Sequence, residues 1–196
     1  MAEKSGHVGR NRILDVAQEL FTEKGYKGTS IRNIADACGI TNAALYYYFQ
    51  NKEALFEEVM LRYTTSLREQ MNQAGEEGDD YQQRICAMAK AYMNLGSNQR
   101  SMFFLARQKR DDFHPNESRD TIKVWLEVVL EPFESVFQEA ALDGEIIQVP
   151  EAYSAASMLM GMLHGMIMHR RICREGRISQ GDIEYIVSLF WNGLKA

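Results

Sequence analysis

The sequence predicts an all-α protein of about nine helices. Only three of the 196 residues are proline, and the apolar residues recur at the i, i+3, i+4, i+7 spacing of amphipathic helices instead of alternating as they do in strands. Hydrophobic residues make up 45% of the chain and charged residues 25%, which is a globular composition. We therefore expect a folded helical protein with one core or two small ones.

The first two helices are predicted from apolar stripes and from the residues that end them. A stripe over residues 13–21 forms one face of the first helix, and Gly25 stops this helix in a left-handed conformation. Either Thr29 or Ser30 caps the second helix, which ends at Gly39. The second helix is therefore a short one.

The next two helices follow after brief turns. Thr41 or Asn42 caps a short third helix, and both residues stay open as caps at this point. A long fourth helix is predicted over about 51–73, and the glycine-rich, acidic stretch 74–80 breaks the periodicity as a loop. The first four helices thus form a group of short elements followed by one long rod.

Five more helical segments are predicted in the remainder of the chain. A kink or a helix boundary is expected at Pro132, because proline lacks the amide hydrogen that a helix interior uses. The predicted segments are 81–95, 98–110, 116–142, 151–174 and 182–194.

Composition excludes several classes of protein. There is no run of the roughly 18 apolar residues that a membrane-spanning helix requires, so we expect a cytoplasmic protein with no membrane partner. The three cysteines are odd in number and widely spaced, which predicts neither a disulfide framework nor a zinc site. His169 and Cys173 lie one turn apart without a third ligand, so no metal or cofactor is expected. No catalytic constellation is visible, and an enzyme is not expected.

Charge is distributed unevenly along the chain. Residues 1–52 hold seven Lys/Arg and five Asp/Glu, a balance of +2 in a chain whose net charge is −5. The remainder is acidic, with a balance of −7. Because screening limits charge effects to about 8–10 Å, the basic first part can face a nucleic acid despite the acidic total.

The second and third helices together have the pattern of a helix-turn-helix, a unit that places its second helix in the major groove of DNA. Ala43 and Ala44 keep the start of the third helix slim, and tyrosine hydroxyls follow. Over about residues 10–60 the sequence resembles the amino-terminal signature of TetR-family regulators, on the pattern Phe21-x-x-x-Gly25-Tyr26-x-x-Thr29-Ser30-Ile31-x-x-Ile34-Ala35-x-x-x-Gly39-Ile40-x-x-x-x-Leu45-Tyr46-Tyr47-Tyr48-Phe49-x-x-Lys52-x-x-Leu55.

This resemblance implies a DNA-binding domain at 1–52 and a ligand-binding and dimerisation domain at 53–196. It also implies which residues meet DNA. Base edges or nearby phosphates would be met by Arg32, Thr41, Asn42 and Ala43, phosphates by Tyr47 and Lys52, and the DNA backbone by the capped helix start at Thr29 or Ser30.

Two of the candidate DNA-binding residues have equal alternatives. Tyr46 is either a DNA contact or a core ring whose hydroxyl is bonded inside the domain. Asn42 suits a bidentate contact to adenine, or else it caps the third helix. Asn42 and Ala44 also depart from the Lys/Arg and Gly that are commoner in relatives, so the recognised base sequence stays open.

The remainder of the chain carries a predicted cavity for an apolar or aromatic small molecule. Methionine adapts to varied shapes and aromatic rings offer contact area, although ordinary core packing is the rival interpretation for each residue. His164 is a second polar candidate, with a satisfied core histidine as the alternative. The predicted ligand-binding residues are Tyr92, Phe103, Phe104, Arg107, Trp125, Met158 and Met162.

Two faces near the carboxyl terminus are predicted to pair subunits. The stretch 158–168 combines five methionines with Gly161 and Gly165, which allow close helix approach, and 183–194 carries Ile183, Ile186, Val187, Phe190 and Leu194 on one face. Charged neighbours exclude a membrane role for the glycine pair. The resemblance likewise implies a four-helix bundle between two subunits.

These observations predict a homodimeric, ligand-responsive regulator that binds double-stranded operator DNA, most simply a repressor released by its effector. The first alternative is a DNA-binding activator or architectural protein without a small-molecule effector. The second is a helical binding module or enzyme with a vestigial DNA-binding domain. Operator, effector, regulated genes and the sign of regulation are left open by the sequence.

Overall fold

The computed structural model describes residues 9–94, 117–148, 154–173 and 176–195, and for 117–126 and 171 it describes the backbone alone. Within these ranges the chain forms eight α-helices and one isolated β-bridge, between Ile146 and Lys195. The all-α prediction is confirmed, and the predicted helix at 98–110 lies outside the described residues. The helices are α1 (Arg10–Gly28), α2 (Ile31–Cys38), α3 (Asn42–Tyr48), α4 (Lys52–Gly75), α5 (Tyr81–Asn94), α6 (Glu117–Leu142), α7 (Ala155–Cys173) and α8 (Gln180–Leu194).

Gly25 interrupts α1, as predicted, but in a different conformation. Its backbone has φ 76° and ψ 169°, a region essentially restricted to glycine, whereas a left-handed helical residue has ψ near +45°. The chain returns to helical geometry as far as Gly28. Beyond the interruption, the ring of Tyr26 stacks on Phe21 with 5.8 Å between centroids.

The described residues pack into two compact units. The first unit contains the chain up to Thr64 and the described backbone of 117–125, and the second contains 65–94 together with the chain from Leu126 onward. Helix α4 therefore begins in the first unit and ends in the second. The functional boundary after residue 52 stays a prediction.

The core of the first unit draws one face from each of its helices. α1 supplies five buried residues, whereas α2 supplies only two because it spans just eight residues. This core therefore determines which sides of α2 and α3 remain outside. Its buried residues include Ile13, Leu14, Val16, Ala17, Phe21, Ile34, Ala35, Leu45, Phe49, Leu55, Phe56, Val59 and Met60.

The second unit is centred on α8, which packs against α5 and α7. The ring of Phe137 on α6 lies 5.8 Å from Phe190 and 6.3 Å from Trp191, centroid to centroid. Pro132 is buried within α6, and the helix continues to Leu142, so of the kink or boundary predicted there the boundary is wrong. Val129, Phe133 and Val136 of the same helix are buried as well, so α6 contributes apolar residues to the core on both sides of the proline in sequence.

Ion pairs join the surfaces of neighbouring helices in the second unit. Arg68 on α4 pairs with Glu131 on α6 at 3.0 Å, Arg84 on α5 with Glu139 on α6 at 2.7 Å, and Lys90 on α5 with Glu184 on α8 at 2.6 Å. Exposed pairs of this kind contribute about 0–1 kcal/mol each. The apolar core, and not these pairs, stabilises the unit.

Two features of the described part of the chain bear on the sequence predictions. No helix there is long and apolar enough to cross a membrane. Nor does that part bring together three or more His, Cys, Asp or Glu side chains that could hold a metal ion.

We predict that Gly25→Ala lowers the free energy of unfolding by about 1–3 kcal/mol, because alanine does not adopt the backbone angles of Gly25 without strain. Gly28→Ala is the matched control: Gly28 lacks a positive φ, and an added Cβ would meet Lys24 at an ordinary 3.4 Å. Urea denaturation followed by circular dichroism measures the free energy of unfolding of both variants. Equal stability of the two variants would show that α1 relaxes around Gly25.

Candidate nucleic-acid interface

Helix α2 is defined at both ends by caps from its own sequence. The Ser30 hydroxyl accepts a hydrogen bond from the Asn33 amide at 3.1 Å, and the Ser30 amide donates to Asn33 Oδ1 at 3.0 Å, a reciprocal capping box. Gly39 ends the helix with φ 69° and ψ 30°, in the predicted left-handed conformation. Of the two candidate caps, Ser30 is the observed one.

Helix α3 begins after a turn that is equally well determined. The amide of Ile40 donates to the carbonyl of Ala35 at 3.0 Å, which folds the turn back onto α2. The Thr41 hydroxyl accepts from the Ala44 amide at 3.1 Å and caps α3. Asn42 is the first residue of α3, so the capping alternative for Asn42 is wrong. Its amide group makes no hydrogen bond within the described part of the chain and is exposed.

The outer side of α3 forms a continuous exposed face. Leu45 is fully buried and anchors the helix, whereas Tyr46 is 52% exposed and Tyr47 is 85% exposed. Asn42 and Ala43 lie one turn earlier on the same side and are also exposed. The core alternative for Tyr46 is therefore not observed. We call these four residues, Asn42, Ala43, Tyr46 and Tyr47, the α3 outer face.

Arg32 lies on the exposed side of α2. Its side chain is 79% exposed, and its guanidinium pairs with Asp36 at 3.7 Å, one helical turn further on. A pair with this exposure contributes about 0–1 kcal/mol, so the guanidinium is able to exchange this partner for a phosphate or a base at small cost.

Two other predicted DNA-binding residues are directed into the first unit. Thr29 is 1% exposed, and its hydroxyl donates to the carbonyls of Leu20 at 3.1 Å and Gly25 at 2.9 Å. The prediction that Thr29 is an exposed helix cap is wrong, because this hydroxyl serves the α1 interruption instead. The ammonium of Lys52 donates to the carbonyls of Tyr26 at 2.9 Å and Thr29 at 3.0 Å.

Charged contacts tie α1 to α4 behind this interface. Arg10 is bonded to Glu58 and lies 5.0 Å over the ring of Phe49, and Arg62 pairs with Asp15 at 2.6 Å. The arrangement offers amide, hydroxyl and guanidinium groups on one outer surface, with rigid packing behind them.

Cys38 lies at the end of α2 and is only partly exposed. Burial raises the pKa of its thiol, although the nearby charge of Arg12 opposes this effect. The thiol is therefore protonated at neutral pH.

Comparison with known proteins agrees with this geometry. The family model for bacterial regulatory proteins of the tetR family matches residues 13–59. The HTH-type transcriptional repressor KstR2 of Rhodococcus jostii (strain RHA1) is 42% identical over 59 residues, which are 30% of this chain and 29% of that protein. The chain thus matches less than a third of that relative's length.

Two solved structures cover nearly the whole chain. The TetR-family regulator PfmR from Thermus thermophilus has 26% identity and a TM-score of 0.70, over 97% of this chain and 100% of that one. Residues 13–59 of the chain thus form a DNA-binding domain of the TetR family. The transcriptional regulator FadR from Bacillus subtilis, solved in complex with stearoyl-CoA, shares the fold with a TM-score of 0.78 at 19% identity, over 95% of this chain and 100% of that one.

Outside the TetR-family DNA-binding domain, only part of the predicted ligand site is described. Tyr92 is 3% exposed, Met158 is 40% exposed and Met162 is intermediate. Their joint role in a cavity stays a prediction. The candidates Phe103, Phe104 and Arg107 lie outside the described residues. For Trp125 the structure describes the backbone but not the side chain.

Tyr92 and His164 form a polar pair. The Tyr92 hydroxyl lies 2.8 Å from Nε2 of His164, and the two rings meet edge to face at 5.7 Å. Burial lowers the pKa of His164, so its imidazole is neutral at pH 7 and Nε2 is able to accept the hydroxyl hydrogen. Sequence reasoning named both residues but did not pair them, because they lie 72 positions apart.

A polar cleft in the second unit was not anticipated from the sequence. It has a volume of about 500 Å³, and its lining includes Asp80, Tyr81, Arg84, Glu145 and Lys195. None of these belongs to the predicted ligand-binding set. Their positions in the sequence show no common spacing that would have grouped them.

The predicted pairing faces of α7 and α8 are only partly exposed. On α8, Ile183, Ile186, Val187 and Leu194 are buried in the chain's own core, because α5 and α7 already cover that side. They cannot form the predicted subunit contact. The exposed large apolar residues of these two helices are instead Met158, Met168, Ile172, Tyr185 and Leu189.

The glycine pair on α7 remains available for close approach. Gly161 and Gly165 are exposed, and a Cβ added at either would meet no atom within 4 Å. We call these two glycines, together with the exposed apolar residues of α7 and α8, the α7–α8 outer face. Sequence reasoning missed Tyr185 and Leu189, although their spacing of four is a helical signal.

We predict that Thr41→Ala lowers the free energy of unfolding by about 0.5–2 kcal/mol, because it removes the hydroxyl that caps α3. Asn42→Ala is the neighbouring control and should leave stability within about 0.5 kcal/mol, since its side chain is exposed and bonds to nothing in the described structure. Thermal unfolding measures the stability of both variants. A larger loss in Asn42→Ala than in Thr41→Ala would return the capping role to Asn42.

Proposed function

We propose that this chain is a ligand-responsive transcriptional repressor that binds double-stranded operator DNA as a homodimer. The α3 outer face is the observation that carries this proposal. It joins a free amide at Asn42, a small side chain at Ala43 and two exposed phenols at Tyr46 and Tyr47 on a rigidly capped helix. The naming of the relative KstR2 as a transcriptional repressor supports the sign of regulation.

The chemistry of the α3 outer face matches the major groove. An asparagine amide both donates and accepts, and this pair of functions fits N6 and N7 of adenine. Ala43 leaves room for close approach and suits the methyl group of thymine. The hydroxyls of Tyr46 and Tyr47 lie one turn further on, where they are able to bond phosphate oxygens that position the helix.

Helix α2 supplies the second set of contacts in this proposal. Its first amides, at the end capped by Ser30, attract a phosphate because a helix amino terminus carries partial positive charge. Arg32 lies in the first turn of α2 and adds a full positive charge beside that end. These contacts would hold α3 in register without reading sequence.

Pairing of two chains follows from the α7–α8 outer face in this proposal. Tyr185 is 67% exposed and Leu189 is 54% exposed, a large apolar exposure for adjacent turns of one helix. A two-fold symmetric contact between copies would cover this surface and present two α3 helices to successive major grooves.

The second unit is the proposed ligand-binding part. The hydrogen bond between the buried Tyr92 and the exposed His164 gives a neutral polar anchor on the same helix as the buried methionines Met88 and Met93. Such a mixture suits a largely apolar small molecule with a polar group. The fold neighbour FadR was solved with stearoyl-CoA, which supports the capacity of this fold to hold an apolar ligand.

Helix α4 is the proposed route of communication. It is a continuous helix from Lys52 to Gly75, with its start in the first unit and its end in the second. A ligand that favours one position of the end of α4 over another would shift the equilibrium between two positions of its start. By linkage, operator DNA and ligand would change each other's affinity by the same factor.

One prediction of this proposal concerns the reading of the base sequence by Asn42. Selection of bound duplexes from random DNA should return a defined operator, and Asn42→Ala should weaken binding to it by about 1–3 kcal/mol while relaxing preference at one base pair. Asn11→Ala, a change at an exposed asparagine of α1, should leave the selected sequence unchanged. Recovery of random sequence by the native chain would contradict the DNA-binding proposal.

A further prediction concerns assembly. Leu189→Glu should convert the dimer to a monomer with native helical content, because the residue is exposed within one chain yet covered in the pair, where an unpaired carboxylate costs several kcal/mol. Leu142→Glu is the matched control, at a leucine that is 87% exposed in the same unit. Sedimentation equilibrium distinguishes the two states. Dimers of equal affinity in both variants would place the interface on another surface.

A further inference from the structure

The amino group of the half-buried Lys52 is hydrogen-bonded within the first unit. Lys52 is the first residue of α4, and its Nζ lies 2.9 Å from the carbonyl oxygen of Tyr26 and 3.0 Å from that of Thr29. The same nitrogen lies 4.0 Å from the centroid of the Tyr26 ring, within the range of a cation–π interaction. Two groups of Tyr26 and one of Thr29 thus converge on one ammonium, and we call the segment that holds them, residues 26–30, the α1–α2 connection.

We propose that Lys52 is a positioning residue for the nucleic-acid interface, one that holds the α1–α2 connection against the start of α4 instead of contacting a phosphate. The proposal rests on the proposed DNA-binding function, since it names how one residue supports that interface. It assigns to Lys52 an effect on DNA binding that acts through α2.

The two carbonyls explain why this position governs α2. Tyr26 lies in the last turn of α1, and Thr29 is the residue directly before Ser30, which caps α2. The Thr29 side chain is already tied to Leu20 and Gly25. Through the Thr29 carbonyl, Lys52 therefore restrains the point from which α2 leaves the connection.

Electrostatics favour a cation at this place. Carbonyls near the end of a helix carry partial negative charge, and a lysine ammonium offers three N–H donors, of which two are directed at the Tyr26 and Thr29 oxygens. The pKa of Tyr26 is raised to about 12 by burial of its ring and by the charges of Glu53 and Glu57, so the phenol is neutral and its ring face is available to the ammonium.

The Tyr26 ring is itself held in place. It stacks on Phe21 at 5.8 Å and meets Phe56 of α4 edge to face at 4.9 Å. Because the ring and both carbonyls are fixed by packing, Lys52 would lose all three interactions in turning outward to a phosphate. Phosphate binding by Lys52 would thus cost the connection that positions α2.

The test uses the full chain with Lys52→Met, which keeps the length of the side chain but removes its charge and donors. Lys24→Met is the matched control, because Lys24 is exposed and makes no ion pair or hydrogen bond within the described residues. In the absence of DNA, Lys52→Met should lower Tm by about 4–8 °C, whereas Lys24→Met should leave Tm unchanged.

DNA binding supplies the second readout, with a duplex selected by the native chain as probe. Lys52→Met should weaken binding about tenfold while the slope of log affinity against log salt stays within about 0.3 of native. A lysine that neutralises a phosphate would instead reduce this slope by about 0.9 for each contact. A reduced slope together with native Tm would overturn the proposal.

A third readout needs no substitution that alters folding. In nitrogen-15 spectra of the native chain, the Lys52 ammonium should give a resolved signal without DNA, and its shift should persist when the duplex is added. A signal that emerges only with DNA would contradict the positioning role. If the native chain binds no duplex at all, the DNA-binding proposal fails, while Tm and the free-state spectrum still decide whether Lys52 holds the connection.

Discussion

The interface depends on one constraint: its two helices are too short to hold themselves. α2 has eight residues and α3 has seven, whereas isolated helices below about 12–15 residues are marginal in water. Caps at Ser30, Gly39 and Thr41 satisfy the helix ends, while α2 packs against α1 and α3 packs against α2. The remaining architecture of the first unit serves to keep these two helices at one fixed angle.

Local chemistry made most of this unit predictable from the sequence. A glycine at position 39 predicts the end of α2, because glycine adopts the positive φ of a helix end without strain, and this φ is observed. A hydroxyl at Thr41 predicts the cap of α3, which is also observed. Each signal acts within four residues of its effect, so no knowledge of the tertiary structure is needed. The same holds for the interruption at Gly25, whose carbonyl accepts a hydrogen bond from the hydroxyl of Thr29, four residues further on.

The contacts that could not be predicted from the sequence are not local. Each depends on the direction of a side chain relative to elements that are distant in the sequence. Lys52 is 26 positions from Tyr26, and nothing in the spacing reveals that its ammonium is directed at that carbonyl. On α8, the apolar stripe was correctly found but assigned to a partner subunit, whereas α5 and α7 of the same chain cover it. A periodic stripe indicates that a face is buried and does not identify what buries it.

The backbone at Gly25 has a consequence for the range of viable genetic variants. Single-base changes in a glycine codon yield side chains from alanine to tryptophan, and every one of them carries a Cβ that the angles φ 76° and ψ 169° disfavour. No missense change at this codon is conservative in the usual chemical sense, because size and polarity are secondary to the presence of a Cβ. Natural variation at this site should therefore be limited to synonymous codons, even though the glycine contacts neither a base nor a ligand in the proposed function.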